Sequence, residues 1–334
     1  MESMTYPSLV RRFRVASVPG RAVLAGLLLG LATLGCGDGS VPGDPIEARI
    51  DRLFPADPPF GVVNREQVRR MLEVPAEEDG PFLMLNLIRH RERALYPDGR
   101  ESDLSGAEAD AIYGAGMIGI LAEIGARPVF VAEVEINLID PDGSKWEQIA
   151  MVEYPSRRAF FEMLERPDFR ELSIHKAAGV EETLVIVGGE RTQFPEGLLE
   201  VDLDALPHPP TAEDAPIAIC HILDYHEVAQ YADGRETTLT GREAMALYEQ
   251  GRQEQDVLGL GVRPGLWLAL EGELLGRGST FEEFRINLFP NRKTFFQVAA
   301  PDSSAEAGIE HSVAALRETY TQLTAPRLNE FGYR

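Results

Sequence analysis

Two cysteines in 334 residues, Cys36 and Cys220, are too few for a disulfide framework. No Cys-x-x-Cys pair, glycine-rich phosphate loop or nucleophile elbow occurs, so dithiol redox chemistry, P-loop nucleotide binding and hydrolase-type catalysis have no foothold. Metal-ligand spacing is also missing; His221 with Glu271 or Glu273 comes nearest to a ligand set and matches no known type. Positive charge is scarce, with 32 Lys and Arg against 54 Asp and Glu and a net charge of −22. A surface that acidic repels phosphate backbones and anionic headgroups, which excludes nucleic acid as a partner. Cations, neutral apolar molecules and basic surfaces remain.

What is present begins with an address. Arg11, Arg12 and Arg14 precede the apolar run Ala22–Leu31, and Thr33-Leu34-Gly35-Cys36 follows. That is the layout of a secretory signal (residues 1–35), whose apolar run is too short to span a bilayer. Its end resembles a bacterial lipoprotein signal, with Cys36 as the lipid attachment site, although Thr33 and Leu34 depart from the usual pattern; an ordinary signal peptide cut nearby is the alternative. Acyl chains on Cys36 would tether the protein to a membrane of the cell envelope, at the outer membrane or the periplasmic face. Residues 36–45 read as a flexible tether, and residues 46–80 as a helical extension with Asn64 capping a helix from Arg65 to Glu73.

The rest of the chain is written twice. Tyr96-Pro97-Asp98-Gly99-Arg100-Glu101 returns as Tyr231-Ala232-Asp233-Gly234-Arg235-Glu236. With a shift of 135, Tyr113 meets Tyr248 and Phe160-Phe161 meet Phe295-Phe296; with a shift of 136, His175 meets His311. Copy 1 covers 81–189, a proline-rich linker 190–215, and copy 2 with a C-terminal tail 216–334. Each copy reads as strand, loop, helix, strand, hairpin, strand, helix, strand, with copy 1 strands near 82–88, 129–138, 146–154 and 183–188. Ser105 with Glu108, and Thr240 with Glu243, have capping-box spacing at the first helix of each copy. The expected fold is α+β: two ferredoxin-like βαββαβ repeats packed sheet to sheet as an intramolecular dimeric α/β barrel, a pseudo-dimer within one chain.

Met84-Leu85-Asn86-Leu87, Tyr96–Glu101 and His175–Thr183 resemble the bacterial domain-of-unknown-function 1330 family, in tandem here. The likeness is strong over 80–188 and weaker over 216–325, where His221 replaces Asn86 and Asp224 replaces Arg89. That family lies in the dimeric α/β-barrel superfamily, with haem-binding chlorite dismutase-like proteins, small monooxygenases and isomerases. The resemblance implies architecture and leaves the activity open.

Strand alternation supplies the candidate site. Phe130, Ala132, Val134, Ile136 and Leu138 form an apolar side that is expected to face the helices. The opposite parity would send Asn86, His221, Gln148, Trp267, Glu271, Glu283, Arg285 and Asn287 into a chamber between the sheets. There His221, Arg285 and Glu271 are candidate catalytic groups for cofactor-free acid–base or oxygen chemistry, with His221 as proton carrier. Asn86, Trp267, Glu283 and Asn287 are candidate ligand-binding residues for a small organic molecule. A structural salt-bridge lattice is the competing reading, and a non-enzymatic, lipid-tethered binding or assembly module the competing function. Arg100 and Arg235 belong either to tight turns or to lids that capture an anionic group. His175 and His311 make a haem ligand conceivable through the resemblance, but no motif supports one, and no cofactor is expected. Cys220 reads as a small buried hydrophobe.

Overall fold

The computed structural model describes residues 45–253, 257–300 and 305–334. The signal, Cys36 and nearly all of the tether lie outside them. Two short helices come first, α1 (Pro45–Leu53) and α2 (Arg65–Glu73), on either side of β1 (Val62–Val63). Asn64 caps α2 by accepting from the Gln67 amide, and Val68 on its inner face is fully buried. Copy 1 runs β2 (Phe82–His90), α3 (Gly106–Glu123), β3 (Arg127–Ile139), β4 (Gln148–Tyr154), α4 (Arg157–Glu165), α5 (Pro167–Gly179) and β5 (Val180–Arg191). Copy 2 repeats this with β6 (Ile217–Tyr225), α6 (Gly241–Gln253), β7 (Arg263–Gly276), β8 (Glu283–Phe289), α7 (Arg292–Ala299), α8 (Ala305–Ala315) and β9 (Leu316–Asn329).

Local chemistry sets the element ends. Ser105 Oγ accepts from the Glu108 amide at 3.2 Å, and Glu108 Oε2 accepts from the Ser105 amide at 2.8 Å. Thr240 and Glu243 reproduce the pair at 3.2 and 2.7 Å. The second helix of copy 1, expected as one, is two: Arg166 is extended and Pro167, which lacks an amide hydrogen, opens α5.

Strand order is β5-β2-β4-β3 in copy 1 and β9-β6-β8-β7 in copy 2, antiparallel throughout. The copies share register: Asn86 lies opposite Ala150 and Val185, and His221 opposite Arg285 and Thr321. Pairing of β3 with β9 and of β5 with β7 joins the sheets along their edges, closing an eight-stranded antiparallel barrel with β1 appended to β7. Closure leaves the eight barrel strands without a free edge, which sheet-on-sheet stacking would not do.

The face assignment expected from the sequence is inverted for Phe130, Ala132 and Val134, while Ile136 and Leu138, beyond a register shift in β3, pack toward α7 as expected. Leu85, Phe130, Ala132, Ile149, Met151, Leu268, Phe284 and Ile286 point inward and form one core with no helical residue in it. A closed ring of strands shuts water out from every side, so the most apolar stripe belongs there rather than under the helices. The lined chamber is therefore a packed interior. The mixed stripe, including Asn86, His221, Gln148, Glu283, Arg285 and Asn287, lies on the outer, helix-facing side. In copy 1 that side is an apolar core of Met84, Tyr154, Phe160 and Phe161 with Met117, Ile120 and Leu121 from α3.

Candidate functional site

The two outer faces differ where sheet meets helix. Shared register places Ala150, Val152 and Val185 of copy 1 at the positions of Arg285, Asn287 and Thr321 in copy 2. Apolar contacts have become a charged and hydrogen-bonding surface on the same backbone.

Arg285 is its centre. The guanidinium donates to Glu283 Oε1 at 2.7 Å, to the Tyr225 hydroxyl at 3.2 Å and to Glu249 of α6. Tyr225 in turn donates to Glu283 Oε2 at 2.7 Å. The central carbon of the guanidinium sits over the Trp267 ring, 4.0 Å from its centroid, and Trp267 donates Nε1–H to Asn287 Oδ1 at 3.1 Å. Arg285 and Glu283 are buried, with 9% and 8% of their surface exposed, so each needs counter-charge: Arg285 pairs with Glu283 and Glu249, and Glu283 with Arg285 and Arg242. Burial opposes the arginine's charge, yet Tyr225, Glu283 and Glu249 hold it ionised above the ordinary arginine range. The Tyr225 phenol is raised by burial and by Glu283 and stays protonated.

His221 is the cross-strand neighbour of Arg285, and its Nδ1 shares a 3.0 Å hydrogen bond with Thr321 Oγ1. Burial, then the positive charge of Arg285, push its pKa down to about 3. The imidazole is neutral at physiological pH. Its Nε2 can bind a polar group, but so weak a base is a poor proton acceptor near neutrality.

A cleft of about 400 Å³ reaches this network from the N-terminus of α6. Tyr225, His226, Thr240, Arg242, Glu282 and Arg317 line it. Arg242 stacks over Tyr225 at 4.6 Å and bonds Glu282 at 2.9 Å, while Arg317 clasps Asp224 through two bonds of 2.6 Å. The volume falls within the range of small-molecule pockets.

Other expected site residues lie elsewhere. Glu271 accepts from Arg157 of copy 1 at 2.5 Å and touches neither Arg285 nor His221. Asn86 sits on the outer face of copy 1, its amide 3.4 Å from the Met84 carbonyl. Arg100 and Arg235 fold back over Tyr96 and Tyr231, 4.1 and 3.7 Å above the rings, and pair with Asp98 and Asp233 of their own turns. Those tyrosines explain the repeated histidines: Tyr96 reaches His175 Nδ1 at 2.8 Å, and Tyr231 reaches His311 Nδ1 at 2.7 Å. The loop cleft beside Tyr231 is lined by that tyrosine, Val228, Ala229, Arg235 and neighbouring loop residues, and neither His175 nor His311 lines it, so it presents no haem ligand. Among the described residues no cluster of His, Cys, Asp and Glu could hold a metal, and no helix is long and apolar enough to cross a membrane. Cys220 is buried in the barrel and its thiol is pushed up to about 12 by burial.

Tyr225, Glu249, Arg242 and Thr321 complete the site and escaped sequence reasoning. Tyr225 ends β6 with the outward parity of His221, a readable signal. Glu249 had none, because its contact with Arg285 depends on how α6 lies over the sheet.

No family model and no curated protein matches the chain. Two crystal structures of a protein of unknown function from Rhodopseudomonas palustris, one of them methylated, do. They are 40% and 38% identical, cover 35% of this chain and 84% and 85% of that protein, and give TM-scores of 0.32 and 0.31. The chain belongs to that protein's family. A chlorite dismutase variant from Candidatus Nitrospira defluvii is 12% identical, covering 75% of this chain and 92% of that one at a TM-score of 0.40. A likeness so slight says nothing about activity.

Proposed function

We propose that this protein binds a small organic molecule on the helix-facing side of copy 2, in the cleft lined by Tyr225 and Arg242, which borders through Tyr225 the network of Arg285, Trp267, His221 and Asn287. Each copy is read as a ferredoxin-like unit and the barrel as an internal pseudo-dimer; the matching strand orders support this. One observation carries the binding role. The fold needs no polar group at the positions of Arg285, Asn287 and Thr321, since copy 1 fills them with Ala150, Val152 and Val185. Trp267 offers an aromatic face, and His221 and Asn287 offer hydrogen bonds. Binding is favoured over acid–base chemistry because His221 is so weak a base.

The lattice reading has its own support: Arg285 and Glu283 already satisfy one another and Tyr225 within the protein. Native mass spectrometry of the full chain purified from its host separates the two. A co-purified mass that is lost from Trp267→Ala supports binding; an unliganded chain, with Trp267→Ala altered only in thermal stability, supports the lattice. The Cys36 signal further supports lipid tethering in the cell envelope. Incorporation of labelled palmitate, abolished by Cys36→Ala, is the expected result, and unchanged labelling would remove that part of the reading.

A further inference from the structure

Copy 1 has a polar group of its own that the binding site of copy 2 does not use. Lys176 of α5 places its ammonium 5.7 Å from the Phe60 ring centroid and 5.5 Å from that of Tyr113. No carboxylate among the described residues lies within ion-pair range of it. Asp110 of α3 is 7% exposed, and its Oδ1 is buried without a partner. The other oxygen, Oδ2, is 3.4 Å from His90 Nε2, and His90 Nδ1 is 2.8 Å from Glu147. Tyr154 lies under the same helices.

The fold does not require these groups. Gly106 and Gly179 of copy 1 have the backbone contacts of Gly241 and Ala315 in copy 2, which puts Met245 at the Asp110 position and Ser312 at the Lys176 position. Nor is Lys176 a routine choice of cation. The chain has three lysines, Lys145, Lys176 and Lys293, among its 32 basic residues, and even its buried ion pair uses arginine. Arginine cannot give up its proton in a protein, whereas a desolvated lysine can. Burial lowers the pKa of the Lys176 amine, with the charge of Asp110 and the two ring faces opposing.

We infer that Lys176 is an imine-forming amine and that copy 1 captures small aldehydes or ketones between β2, α3 and α5. The Nζ lone pair attacks the carbonyl carbon. A C–N double bond replaces the C–O double bond, and the oxygen leaves as water with the two protons from nitrogen. The inference assigns the carrying of those protons to Asp110 of α3 and His90 of β2, which share a contact of 3.4 Å.

The test uses the whole chain, glycolaldehyde as probe and cyanoborohydride to fix any imine at pH 7, followed by peptide mapping. Lys145 and Lys293 are exposed and serve as internal references. The expected result is labelling of Lys176 faster than either by about tenfold or more, with the preference erased in denaturant. Labelling of Lys176 at or below the rate of the two exposed lysines would overturn the inference. Independently, glycolaldehyde without reductant should shield Lys176 from acetic anhydride, and reversibly; no shielding counts equally against it.

Discussion

The Tyr96 hydroxyl and His175 Nδ1 share a hydrogen bond of 2.8 Å across 79 residues, and Tyr231 and His311 repeat it at 2.7 Å. Each bond fastens the loop after the first strand to the last helix of its copy, with an arginine laid over the tyrosine ring. Tyr96→Phe and Tyr231→Phe should each cost about 1 kcal/mol in chemical denaturation. The two bonds lie in separate copies, so the double variant should lose the sum; a clearly smaller loss would mean that the latches are coupled.

Arg285→Ala leaves the buried Glu283 with only Arg242, 3.4 Å away and half exposed, as counter-ion and should destabilise the protein by about 3 kcal/mol. The triple variant Glu283→Gln, Arg285→Ala, Asn287→Val restores the copy 1 residues at all three positions. It should recover most of that loss while losing any co-purified ligand. Thermal melts beside native mass spectra read both outcomes.

His221 makes stability depend on pH. Its folded pKa of about 3 lies below the ordinary histidine value, so between those limits the unfolded chain binds a proton that the native chain does not. Stability therefore falls as pH drops through that window, by about 2 kcal/mol between pH 6.5 and 5 from this residue. His221→Asn, the copy 1 residue, should flatten that part of the denaturation profile. An unchanged slope would show that His221 is not the group responsible.

Gly106 and Gly241 start α3 and α6 against neighbouring backbone. A Cβ on Gly106 would lie 2.3 Å from the Arg91 carbonyl oxygen, and on Gly241 2.4 Å from that of Ala315. Gly106→Ala and Gly241→Ala should each cost at least about 2 kcal/mol despite alanine's better helix propensity. Urea midpoints check this, and a gain at either position would show that the backbone yields.

The duplication, the caps at Ser105 and Thr240 and the strand positions were legible because they are local patterns of spacing. Which stripe of each strand meets the core was not. Alternation sorts Phe130 from Val131 but carries no sign saying which side is inside. The sign came from edge pairing of β3 with β9 and β5 with β7, contacts between residues up to 199 apart. The same ignorance separated Glu271 from Arg285: both carry outward parity, but β7 runs on past its own sheet to pair with β5, taking Glu271 to Arg157. Tyr96 with His175 escaped for a different reason, since two copies of each residue were visible but their meeting was not.

Barrel closure within one polypeptide also governs how the protein can change. Were the halves identical subunits, every substitution would arrive in pairs, and a buried arginine would have to be tolerated on both faces at once. Here Arg285 occurs once per ring, opposite a twin that keeps its alanine. One half can hold the architecture steady while the other drifts toward new chemistry.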